Sequence, residues 1–87
     1  MRNRIEGLTD AIRKVLRGYD TAISWQEICL EIRGIVHISP EQEEITYGQP
    51  NFYHSVRRTL TELMRSGEVK RVARGMYIII SSDLVEM

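Results

Sequence analysis

Six cations in the C-terminal half are the residues whose types and spacing could do chemistry. His54, Arg57, Arg58, Thr61 and Arg65 follow one another at spacings of 3, 1, 3 and 4, which places them along one face of a helix. Lys70, Arg71 and Arg74 come shortly after. The guanidinium fork of arginine suits both phosphate oxygens and the O6/N7 edge of guanine. A row of such cations on a polyphosphate is stabilised by counterion release. The chemistry implied is recognition of an anionic polymer.

Other chemistry is poorly provided for. Cys29, His37 and His54 are the soft metal ligands of the chain, and their spacing matches no zinc pattern. One cysteine cannot form an internal disulfide. Glu41, Glu43 and Glu44 could act as acid and base only if burial perturbed them, and a loop rich in charge gives no such environment. They read as a solvated loop. No nucleophile with a paired base and no glycine-rich phosphate loop is present. The expectation is therefore not an enzyme, with no cofactor and no metal. Trp25 and Tyr77 read as core residues.

At 87 residues the chain is a single domain, 1–87, since domains run from about 50 to 250 residues. Its 43% hydrophobic and 28% charged content is the ordinary globular balance, enough for one modest core. No apolar run approaches the ~20 residues of a membrane span, and no export signal is legible at the N-terminus. The expected compartment is the cytoplasm, with no membrane partner. Twelve basic residues balance twelve acidic ones, yet they are unevenly spread. Residues 1–19 hold five basic against two acidic residues, residues 20–50 one against six, and residues 51–80 six against two. The cluster of Arg13, Lys14 and Arg17 is equally well explained as the solvated back of a helix.

The elements that must position these residues follow from periodicity. Ile5, Leu8, Ile12, Val15, Leu16 and Tyr19 lie at helical spacing and Gly18 ends the run, with Asn3 and Glu6 as a capping pair at its start. Thr21–Ile23 is a strand stub. Ser24 with Glu27 forms a capping box for a second helix carrying Trp25, Ile28, Cys29 and Ile32, closed by Gly34. Residues 35–50 are irregular, with Ile35–Ile38 and Ile45–Tyr47 as two short strands that could pair. Asn51 caps a third helix whose stripe of Phe52, Val56, Leu60, Leu63 and Met64 ends at Ser66-Gly67. The period then changes: Val69–Val72 and Met76–Ile80 flank Ala73-Arg74-Gly75, a link whose glycine can take positive φ. That is a β-hairpin, and the fold class is α+β.

Helix, stub, helix, loop, helix, hairpin is an order that resembles the winged-helix domain, the helix-turn-helix variant with a C-terminal β-hairpin wing. The resemblance covers residues 4–80 and is carried by Val56, Leu60 and Leu63, then Gly67-Glu68-Val69, Arg71, and Gly75 before Tyr77-Ile78. It implies a three-helix core, with the third helix as recognition helix. The chain departs from the pattern where residues 35–50 replace the usual turn of about 3 to 4 residues. By resemblance, the first turn of the third helix enters the major groove. Asn51, Tyr53, His54, Ser55 and Arg58 would then contact base edges, with Arg57 and Thr61 on the same stripe, Arg65 further along on a phosphate, and Lys70, Arg71 and Arg74 on backbone or minor groove. The expected function is a small duplex-DNA-binding transcriptional regulator. The alternative is a winged helix used for protein interaction or dimerisation, with a partner on the acidic loop 35–50, and a homodimer is compatible with both.

Overall fold

A computed structural model describes residues 5–80 of the 87. The chain is α+β, as its periodicities indicate. Helix α1 (Leu8–Arg17) buries Leu8, Ala11, Ile12, Val15 and Leu16 on one stripe and stops at Gly18. It begins at Gly7, whose position carries no side-chain cap. Asn3 of the expected capping pair lies outside the described residues. Strand β1 (Ile23–Ser24) leads directly into α2 (Trp25–Ile32). The Ser24 hydroxyl accepts the Glu27 amide at 3.1 Å, so Ser24 caps α2 at the position expected of it.

The connection differs from its expected form. Residues 35–38 make no strand; after them Ser39 caps a one-turn helix α3 (Pro40–Glu43), its hydroxyl accepting from the Gln42 amide at 3.3 Å. The acidic loop is thus partly helical, with Gln42 buried beneath it. Proline at the first helical position suits such a start, because its missing N–H would be unsatisfied there in any case. Strand β2 (Ile45–Thr46) pairs with β3 (Gln49–Pro50), Ile45 opposite Pro50. Tyr47 and Gly48 make the two-residue turn, at φ 55° and 81°, the doubly positive pattern of the tight hairpin turn whose twist matches the strands. Ile45 therefore has a hairpin partner, but the partner is residues 49–50.

Helix α4 (Asn51–Ser66) is the helix expected third. It starts on Pro50, so Asn51 is its first residue and not its cap. Phe52, Val56, Thr59, Leu60 and Leu63 are buried along it, and Gly67 ends it. Strands β4 (Val69–Ala73) and β5 (Met76–Ile79) form an antiparallel hairpin with Arg71 opposite Tyr77 and an irregularity between Arg71 and Ala73. Gly75 takes φ 70° at the turn, where a side chain would be strained although space is open around it. The strand order is β1-β5-β4, Ile23 pairing with Tyr77. The single core joins Ile12 and Leu16 of α1, Ile28 and Ile32 of α2, Phe52, Val56 and Leu60 of α4, and Val69 and Tyr77 of the sheet.

A polar clamp closes this core on the α1 side. The Arg13 guanidinium donates to both carboxylate oxygens of Glu68, at 2.7 and 3.1 Å, and to Asp10 at 2.8 Å. Arg13 thus bridges two elements 55 positions apart. That hydrogen bonding holds the Glu68 carboxyl below its ordinary range. The folded state therefore binds this proton less readily than the unfolded chain. Its stabilising contribution is present above the ordinary carboxylate range and is lost as pH falls through the lowered folded value. The pair is solvent-screened, so the effect is small. Glu68→Gln is expected to flatten the decline of the thermal midpoint on acidification; identical pH profiles for the two proteins would show that the clamp contributes nothing.

Candidate functional site

Each residue of a helix advances by about 100°, so the cations of α4 do not all look the same way. With Phe52, Val56, Leu60 and Leu63 turned to the core, the opposite face is centred on His54, Thr61 and Arg65. Arg57 flanks it on one side and Arg58 on the other. Arg57, Arg58 and Arg65 are all exposed.

Arg57 turns towards the β4–β5 hairpin. Its guanidinium lies 5.1 Å from the centre of the Trp25 ring, within the range of a cation–π contact. Trp25 is itself fixed: its indole N–H donates to the Tyr53 carbonyl at 3.2 Å, and its ring meets Tyr53 edge-on at 5.7 Å. Because Ser24 caps α2, Trp25 is the first helical residue and faces α4. Arg57, Arg71, Arg74, Val72 and Tyr77 line a groove of about 620 Å³ between α4 and the hairpin. No carboxylate lines it. Alternation along the strand sends Lys70 to the face opposite Arg71, and Lys70 takes no part in the groove.

Arg58 lies on the other flank. With Asn51, His54 and Ser55 it lines a cleft of about 840 Å³ between α4 and the start of α1, shared with Glu6, Asp10 and Glu62. This cleft is mixed in charge. The basic stripe is therefore split, Arg57 joining the hairpin cations and Arg58 facing the α1 side. Among the described residues, Arg57, Arg58, Arg65, Lys70, Arg71 and Arg74 make no ion pair. These six contrast with Arg13 and Arg33, which are engaged; Arg33 binds Glu43 at 2.5 Å and lies over the Phe52 ring.

Several expected contact residues have partners within the fold. Asn51 donates its side-chain amide to the Glu41 carbonyl at 3.0 Å and its backbone N–H to the Glu44 carbonyl at 2.8 Å. The acidic segment consequently abuts the start of α4. Tyr53 packs between Trp25 and Phe52. The His54 Nε2 lies 3.0 Å from the Thr46 carbonyl, and the Thr61 hydroxyl donates to the Arg57 carbonyl at 3.1 Å. Trp25, read from the sequence as a core residue, does pack against the core, but its support of Arg57 was not legible, although the Ser24 cap that aims it was. Sequence reasoning also passed over Tyr47, whose ring meets His54 edge-on at 6.3 Å.

Cys29 is buried, and burial pushes its thiol up to about 12, so it is an inert core group. Tyr19 donates its hydroxyl to the Glu31 carboxylate, a bond that raises its own pKa and ties the end of α1 to α2. No described helix is long and apolar enough to cross a membrane. Comparisons with protein-family models, with curated proteins and with solved structures return no match to this chain.

Proposed function

We propose that this chain is a winged-helix domain that binds duplex DNA, with α4 as the recognition helix and the β4–β5 hairpin as the wing. The observation that carries the reading is the groove between them, where Arg57, Arg71 and Arg74 converge without a carboxylate. The strand order β1-β5-β4 supports it, because pairing with the stub beside α2 holds the hairpin against α4. In this reading Arg57 and the wing arginines grip phosphates, Arg65 adds a contact further along, and Arg58 reaches a base edge from the opposite flank. The chain binds and does not catalyse, and it acts in the cytoplasm as a transcriptional regulator.

Fluorescence anisotropy with a labelled duplex tests this directly. Four to six phosphate contacts give a log–log salt slope of roughly −4 to −5. No binding to any duplex at low salt would overturn the reading.

One observation favours a second use of the same fold. The acidic segment packs against the start of α4, and Ile45 and Tyr47 beside it are strongly exposed, features that suit a basic protein partner. Sedimentation read together with the anisotropy titration separates the two: self-association without DNA binding supports the interaction module.

A further inference from the structure

We propose that the β2–β3 hairpin is a second DNA-contact element, in which Tyr47 lays its ring on the deoxyribose-phosphate backbone and donates its hydroxyl to a phosphate oxygen. The inference rests on the DNA-binding reading and extends it to a part of this chain outside the helix and wing.

Four observations converge on Tyr47. The residue is 93% exposed, whereas Tyr19 and Tyr53 are half-buried and Tyr77 is buried. It holds φ 55° at a turn position that glycine, asparagine or aspartate fills more easily. The left-handed region costs an ordinary side chain roughly 1–2 kcal/mol, so neither burial nor turn geometry explains a tyrosine here. The hairpin is also tied to α4 at its two ends, through Thr46 to His54 and through Glu44 to Asn51. It thus keeps a fixed place beside the first turn of the recognition helix. Finally, the Tyr47 ring meets His54 edge-on, and His54 is central to the outward face of α4. Tyr47 therefore extends that face and takes no part in the groove of Arg57, Arg71 and Arg74.

Charge decides the kind of partner. The outward face of α4 carries Arg58 and Arg65 without ion pairs among the described residues, which suits a polyanion. The nearest acid along the chain, Glu44, precedes Tyr47 by three residues, about 10 Å of extended strand. That is roughly one Debye length at ordinary salt, so an approaching phosphate meets the hydroxyl at the tip before the carboxylates at the base. Tyrosine side chains are among the regular donors to DNA phosphates.

The test compares the full chain with Tyr47→Gly and Tyr47→Phe on a labelled duplex. Glycine suits the positive φ, so Y47G keeps the thermal midpoint or raises it. Its DNA affinity is expected to fall about tenfold, the equivalent of one hydrogen bond to a charged acceptor. Y47F, which keeps the ring, should fall between the two. Since tyrosine is uncharged, the salt slope should stay that of the wild type in both variants. Hydroxyl-radical footprinting should lose protection at one end of the site only. If Y47G binds as the wild type does while Arg71→Ala weakens binding, the hairpin assignment is overturned and the helix–wing reading stands. A wild-type chain that binds no duplex overturns both. Loss of self-association in Y47G with DNA affinity intact assigns the hairpin to a second copy of this chain and overturns the proposal.

Discussion

Replacing Leu60 with alanine is expected to destabilise the domain by ~2–5 kcal/mol, the range for a buried leucine that leaves a cavity behind. Leu60 is 0% exposed and stands mid-helix on the core face of α4, within the cluster that joins α1, α2 and the sheet. The members of that cluster belong to separate elements, so collapse onto the gap would require several of them to shift together. A domain of this size commonly has ~5–15 kcal/mol in hand, so the loss removes a large part of it. Chemical denaturation would report the change as a lower midpoint at unchanged slope. A midpoint within experimental error of the wild type would show that the face of α4 had been assigned wrongly.

The second large effect concerns binding. Changing Arg57, Arg71 and Arg74 together to alanine should reduce duplex affinity by about two orders of magnitude near 0.1 M salt, since each phosphate contact contributes roughly 0.9 to the log–log slope. The slope itself should drop from roughly −4 to −5 to about −1 to −2. All three side chains are exposed, so the fold should survive. Its stability would fall only by the cation–π attraction between Arg57 and Trp25, a matter of ~0.5–1 kcal/mol. Anisotropy titrations at several salt concentrations separate the outcomes. A parallel shift without a change of slope would mean that these arginines do not meet phosphates, and the groove would lose its assigned role.

How much was legible in the sequence depended on whether the signal was local. The Ser24 cap, the α4 stripe and the glycines at 67 and 75 each carry their own physics within a few residues, and each appears where expected. The short helix α3 carried signals too, Ser39 before Pro40 with Gln42 beyond, but four residues cannot show a period. The Tyr47-Gly48 turn escaped because tyrosine occupies a position usually marked by asparagine, aspartate or glycine. The separation of Arg57 from Arg58 was beyond local reading altogether. Adjacent residues diverge by one helical step, and what each faces is set by the β4–β5 hairpin on one side and by α1 and α3 on the other. The same holds for Arg13, whose partner Glu68 is brought near only by tertiary packing.

The pairing of β1 with β5 bears on the order in which the chain acquires its shape. Ile23 meets Tyr77 across more than half the sequence, and the Trp25 amide donates to the Gly75 carbonyl at 2.8 Å. The helices can form from local contacts, and the β4–β5 hairpin can close on itself. Only a long loop closure brings the central strand of the sheet to its outer partner, and closures of that span are the slow events of folding. The β4–β5 hairpin is therefore expected to gain its orientation late. A chain whose helices have formed is thus expected to lack the cationic groove until that closure is made.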